Sequence, residues 1–271
     1  MKIGLALGGG AARGIAHIGV LKYLEDQGVV PCCVAGTSAG SIIGSMYCSG
    51  KTPDEIIEIA HSISWKDLVK ITIPKKGLIK STLLLDMVRE HLGDITFDDL
   101  KIPLKINAVD LLSGDEIVIT EGLVAEAVQA SCAIPGIFTP VKINKYLFVD
   151  GGLLDNVPVT TMLKEDLDYI VAVDVGSQKP LEKEPSSIFE ILMQSFDIVR
   201  RQRDIPAHEN ADVIIAPDLG DISMWDVTKI DILVEKGYKE AEAKLSEIDL
   251  DKKPGRISKW LSQRKKRKKE K

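Results

Sequence analysis

The chain has 271 residues, 45% hydrophobic and 28% charged, with a mean hydropathy of +0.06. It is too long for a stapled mini-protein and too apolar for a disordered chain, and it fits one large domain or one domain with an appendage. The net charge of −5 hides an asymmetry, because residues 252–271 hold 11 Lys or Arg against the single acid Glu270, a net of +10 that leaves −15 on residues 1–251. The body is expected to repel nucleic acid, while the tail attracts anions.

In chain order, the run Ile3–Leu7 predicts a strand that meets Gly8, Gly9 and Gly10, and a helix is expected over about 13–27, with Gly28 as its stop. A second strand over Cys32–Ala35 enters Gly36-Thr37-Ser38-Ala39-Gly40, and the small residues of Ser41–Tyr47 fit a buried helix. Thr52-Pro53-Asp54-Glu55 combines an N-cap, a first-turn proline and an acid three residues on, and so opens another helix. Residues 64–80 read as a lysine-dotted connection and Ser81–Leu92 as an amphipathic helix. Leu104–Leu111 and Glu116–Thr120 form a strand pair, Leu123–Ala130 a helix broken at Ala133-Ile134-Pro135-Gly136, and Val141–Ile143 with Tyr146–Val149 a hairpin that delivers Asp150-Gly151-Gly152. Tyr169–Val175 and Val213–Ala216 are further strands, with helices near 186–203 and 225–247. The alternation predicts a three-layer α/β/α domain around a mainly parallel sheet, over residues 1–250, with a basic tail at 251–271.

Several absences shape the expected class. Lys2 and the apolar residues after it look like a short signal peptide, but Gly8 to Gly10 and Arg13 break the stretch, so no export signal is read. Residues 27–50 carry no charge, yet Pro31, five glycines and four serines make them too polar to insert in a bilayer. Cys32, Cys33, Cys48 and Cys132 show no metal-binding spacing and fit reduced thiols in the cytoplasm; neither metal nor cofactor is expected.

Gly36 to Gly40 fits G-x-S-x-G. A nucleophile on a sharp strand-to-helix turn needs small neighbours two residues before and after it, so that the backbone can bend and expose the hydroxyl. Ser38 would also lie at a helix N-terminus, where the partial positive charge favours an oxyanion. A plain glycine turn is the bland alternative. The loop Gly8 to Gly14 invites a dinucleotide reading, but G-x-G-x-x-G from Gly8 puts Arg13 where the last glycine belongs, and no acid-tipped strand follows about twenty residues on. Its other use is an oxyanion hole of backbone N–H groups. Among the bases, His208 alone follows Ser38 and a candidate acid in hydrolase order, but it sits in a polar stretch and reads as a lone surface histidine. His17 reads as a packed helix residue, and Asp110 and Asp174 as strand-end caps. Asp150, ending an apolar strand before two glycines, is the alternative: it either caps a turn or, partly desolvated beside Ser38, takes its proton directly.

GGGAARGIAHIGVL at 8–21, GTSAG at 36–40, ASCAIPGIFTPV at 130–141 and DGGLLDNVP at 150–158, together with NAVDLLSGDE at 107–116, resemble the patatin-like phospholipase family, in particular bacterial members related to the esterase domain of neuropathy target esterase. The resemblance runs from Ile3 to about Val175. It implies a patatin-like fold and a serine acyl hydrolase with a Ser38–Asp150 dyad and neither histidine nor metal. It also implies an oxyanion hole from Gly9, Gly10 and Ala11 with Arg13 holding the loop, and a nucleophile elbow framed by Gly36 and Gly40. Ala11 departs from the glycine often found there, and a β-carbon resists positive φ. The implied substrate is a phospholipid, lysophospholipid or other acyl ester. A catalytically idle member that binds a regulatory partner is the competing reading. In the tail, Ile257, Trp260 and Leu261 share a helical face beside Arg264 to Lys269. Two readings stay open, a solvated tail and a peripheral anchor to anionic membrane at the inner face.

Overall fold

A computed structural model describes residues 1–63, 80–176, 184–185 and 188–246. The connection read over 64–80, except for its last residue, and the basic tail lie outside the described residues.

The strands are β1 (Ile3–Leu7), β2 (Cys33–Thr37), β3 (Leu104–Asp110), β4 (Glu116–Ile119), β5 (Val141–Ile143), β6 (Tyr146–Asp150), β7 (Tyr169–Val173) and β8 (Val213–Ile215). They form one sheet in the order β5-β6-β3-β2-β1-β7-β8, with β4 paired to β3 off this path. The run β3-β2-β1-β7-β8 is parallel, as expected, but β4, β5 and β6 join antiparallel, so the sheet is mixed. The pairs β3–β4 and β5–β6 are hairpins, whose short turns permit no crossover, while β6 returns over a longer connection to pair antiparallel with β3.

Period-two alternation sorts the residues of β1, β2 and β7 between two cores. Ile3, Leu5, Leu7, Val34, Val171 and Val173 fall on the face covered by α1 (Ala16–Asp26), α2 (Ala39–Cys48) and the C-terminal helix Ile230–Leu245. Ala6, Cys33, Ala35, Ile170 and Ala172 face the other way, against Val159 and Met162 of the helix Val159–Met162 and Ala207 of Ile205–Asn210. Between them in sequence lie α3 (Pro53–Ser62), α4 (Thr82–Leu92) and α5 (Val124–Ser131); the three helices just named by range follow as α6 (Val159–Met162), α8 (Ile205–Asn210) and α9 (Ile230–Leu245), with α7 (Ile188–Arg203) between α6 and α8. The cap of α3 is as its sequence predicts: Glu55 N–H donates to Thr52 Oγ1 at 3.2 Å, and Thr52 N–H donates to Glu55 Oε2 at 2.7 Å.

Local chemistry moves some boundaries. The helix expected from 13 starts as a 3₁₀ turn over Ala11–Ile15. The helix expected from 225 begins at Ile230, because Asp226 Oδ1 accepts both N–H and Oγ1–H of Thr228, at 3.0 and 2.6 Å, and holds a turn there. No helix among the described residues is long and apolar enough to cross a membrane.

Candidate active site

Parallel pairing of Leu7 with Gly36 sends the glycine loop and the Ser38 turn off the same end of the sheet, side by side. Asp150 arrives from the antiparallel side. Thr37 pairs with Asn107 and Asp150 with Ala108, at consecutive positions of β3, so the ends of β2 and β6 meet.

Ser38 adopts φ 51° and ψ −122°. A residue with a β-carbon pays about 1–3 kcal/mol for such a conformation and holds it only where its surroundings enforce it. Here the enforcement is explicit. A β-carbon on Gly40 would lie 2.1 Å from Leu7 O, and one on Gly36 would lie 2.7 Å from Gly40 O, so the turn closes only with glycine at both places. Ser38 O accepts Ser41 N–H at 2.8 Å and Ser41 Oγ–H at 2.6 Å. Ser38 N–H donates to Ser131 Oγ at 2.8 Å, and Ser131 Oγ–H donates to Asn107 O at 2.7 Å. Two residues along, Ala133 O accepts Asp150 N–H at 3.0 Å. The end of α5 therefore grips the backbone of both Ser38 and Asp150.

The Asp150 carboxyl is buried. Its Oδ1 accepts Gly152 N–H at 2.8 Å, while Oδ2 takes no hydrogen bond of ordinary geometry. The Ser38 hydroxyl is nonetheless close enough to favour the ionised form. The two groups are adjacent but not closed on one another. Burial dominates and raises the carboxyl pKa to about 6, with the nearby Ser38 hydroxyl and the Gly152 hydrogen bond opposing it. Asp150 is thus poised to exchange a proton near neutral pH.

The glycine loop divides its labour. Gly9 N–H is already committed to Asn156 O at 3.1 Å, and a β-carbon on Gly9 would lie 2.5 Å from Asn156 Oδ1 and 3.1 Å from Ser38 Cβ. Gly9 therefore provides close approach, not a free donor. Ala12 and Arg13 N–H go to Met224 O and Gly10 O, whereas Gly10 and Ala11 N–H meet no acceptor among the described residues. Ala11 does take positive φ, 49°, despite its β-carbon, at a cost of about 1 kcal/mol. Arg13 Nε donates to Ile222 O at 2.8 Å and so ties the loop to the segment before α9.

Neither histidine near the loop reaches the serine. His17 is fully buried, with Nε2 2.7 Å from Gly8 O, and desolvation lowers its pKa to about 4, so it is a neutral packed group. His208 is not the lone surface residue its polar neighbourhood suggested: Nε2 lies 2.9 Å from Oδ2 of buried Asp174, and this partner raises its pKa. Asp174 also accepts Gly176 N–H, so it is both a turn cap and an ion-pair partner. Asp110 accepts Leu147, Leu112 and Ser113 N–H and is a turn cap. Among the described residues no group of three His, Cys, Asp or Glu side chains is placed to hold a metal.

Sequence reasoning assigned no role to Ser131, Ala133, Asn107, Asp155 or Asn156. The last two stood inside DGGLLDNVP. Asp155 is buried, its Oδ2 accepts Thr160 Oγ1–H and Asn107 Nδ2–H, and burial raises its pKa to about 7. The signal for Ser131 was a serine closing an apolar helix just before the Pro135 break.

The family model of patatin-like phospholipases matches residues 5–163. An uncharacterized NTE family protein of Mycobacterium tuberculosis is 33% identical over 181 residues, covering 66% of this chain and 50% of that protein. A lysophospholipase of the same group from Candida albicans is 29% identical over 228 residues, covering 82% of this chain and 16% of that one. VipD of Legionella pneumophila shares the fold, with a TM-score of 0.62 at 14% identity over 89% of this chain and 66% of that one. The chain spans about half the length of the mycobacterial relative.

Proposed function

The chain belongs to the patatin-like phospholipase family, and from that premise we propose that it is a serine acyl hydrolase of lipid esters, with Ser38 as nucleophile and Asp150 as its base. The observation that carries this reading is the strained Ser38 beside a buried, unsaturated carboxylate oxygen. Asp150 takes the proton from Ser38 Oγ as the oxygen attacks the ester carbonyl. The oxyanion of the tetrahedral intermediate is received by Gly10 and Ala11 N–H, donors of a kind worth about 10²–10³ in rate. The alcohol leaves with the proton held by Asp150, and the acyl group stays on Ser38 Oγ. Asp150 then deprotonates a water that attacks the acyl-enzyme, and Ser38 recovers its proton as the acid leaves. Lysophospholipid-type esters are the substrate class that the Candida relative's name favours. The test is turnover of a short-chain acyl ester under exhaustive chelation. Steady turnover, absent from Ser38→Ala, is the expected result; dependence on added metal, or equal turnover by the variant, contradicts the reading.

Ser131 follows as a positioning residue. Ser131→Ala removes the hydroxyl that joins Ser38 to β3, and we expect kcat to fall about tenfold to a hundredfold with KM little changed, in line with the cost of small misplacements. Ser131→Thr, which keeps the hydroxyl, is expected to restore most of it. A proportional loss of folded protein in place of a kcat effect would make Ser131 merely structural.

We further propose that the hydrolase unit is residues 1–250, and that the basic tail holds it at the inner face of an anionic membrane in the cytoplasm. About 1 kcal/mol per basic residue near such a surface exceeds the repulsion of the acidic body at low salt. Truncation after Leu250 is expected to abolish salt-sensitive co-sedimentation with anionic vesicles and to spare turnover of a soluble ester. Co-sedimentation that ignores truncation or salt rejects the tail as an anchor.

A further inference from the structure

The helix α7 is amphipathic but docked with its polar side inward. Arg200 lies against Gly176 at the end of β7, where a β-carbon on that glycine would be 2.3 Å from Arg200 Nη1. Its Nη2 is 2.6 Å from Asp197 Oδ1 and its Nη1 is 2.8 Å from Asp204 Oδ2, with Arg201 Nε 3.4 Å from Asp197 Oδ2. These charged groups, with Met193 and Gln194, are the partly or fully buried ones. The opposite side carries Ile188, Ile191, Leu192, Phe196, Ile198 and Val199, all exposed, at 79, 53, 51, 38, 52 and 53%. Their spacing of three, four and seven residues makes one continuous stripe. A contiguous apolar face of this kind, held outward by an ion-paired inner face, marks a surface that meets an apolar partner.

Where the stripe sits decides the partner. The helix packs against the 3₁₀ turn Gly151–Leu153, the residues directly after Asp150, so the helix that carries the stripe borders the candidate site. Arg203 is exposed at its C-terminal end, a cation placed where an interfacial helix meets headgroup phosphates. We infer that the outward face of α7 docks on a lipid surface and brings the Ser38–Asp150 mouth to the acyl chains. This assignment rests on the lipid-ester reading above, deepens it by naming the docking element, and is separate from the electrostatic role of the tail.

The test uses the full chain with neutral phosphatidylcholine vesicles in 0.5 M salt, taken as roughly the range in which the Debye length is only a few ångströms and the tail is silenced. The double variant Leu192→Asp, Val199→Asp is expected to lower vesicle partitioning at least tenfold, while kcat/KM on a soluble short-chain ester stays within twofold of the parent. Leu192→Trp, which keeps the face apolar, is expected to retain binding, and the retained soluble activity certifies the fold of each variant. Partitioning unaffected by the double variant overturns the assignment. So does a parent chain that is a dimer in solution and becomes monomeric in the variant, since the face would then be covered by a second copy. A parent chain that turns over no acyl ester yet binds vesicles through this face overturns the proposed function and leaves the docking surface standing.

Discussion

Ser38→Ala and Asp150→Asn are each expected to lower kcat/KM on a short-chain acyl ester by about a thousandfold or more, the scale seen when one member of a nucleophile–base unit is removed. His208→Ala is expected to change it less than tenfold. The contrast follows from placement. Ser38 and Asp150 are held side by side by Ser131 at the end of α5 and Ala133 just past it, which take the backbone N–H of both, whereas His208 is bound to Asp174 at the end of β7. The double variant should be no worse than either single one, as expected of two groups that act as a unit. Steady-state kinetics checks the set, and a His208 variant as damaged as Asp150→Asn would replace the dyad with a triad.

What the sequence made legible is local. Gly36 and Gly40 flank Ser38 at the two offsets a strained turn demands, and both collide with backbone if given a β-carbon, so the elbow was readable from five residues. Asp150 was readable as the polar end of an apolar strand. The contacts that register the two are not local: Ser131 and Ala133 reach Ser38 and Asp150 from 93 and 17 residues away, and no periodicity encodes such a meeting. The commitment of Gly9 N–H to Asn156 O is of the same kind, and it separates Gly9 from Gly10 and Ala11 although a glycine run treats them alike. Periodicity also finds α7, but its hydrophobic side would ordinarily be assigned to the core. Arg200, inserted between Asp197, Asp204 and Gly176, turns the helix over, and that depends on where β7 ends. Helices α6 and α8, four and six residues long, are too short to show a period of their own.

The buried carboxyl of Asp150 also links activity to stability, with opposite signs. With ionised Asp150 as the proposed base, kcat/KM is expected to rise with pH up to about 6 and to level off above it, falling roughly tenfold for each pH unit below that value. Asp155→Asn and Asp204→Asn, which remove the other carboxyls raised to about 7 and about 6, should leave that limb in place. For stability, the native pKa of about 6 lies above the reference value of 3.8, so the folded chain binds this proton more tightly than the unfolded one. The contribution is fully present below 3.8, is lost between 3.8 and about 6, and above 6 the ionised group costs the fold about 3 kcal/mol. Asp150→Asn removes that cost and keeps an oxygen to accept Gly152 N–H. The inactive variant is therefore expected to be more stable than the parent at pH 7–8, by about 1–3 kcal/mol in denaturant unfolding, with the difference fading toward pH 4. A variant less stable at pH 7, or a difference that does not change with pH, would mean that Asp150 is not held ionised against its burial, and the case for it as the base would lose its electrostatic support.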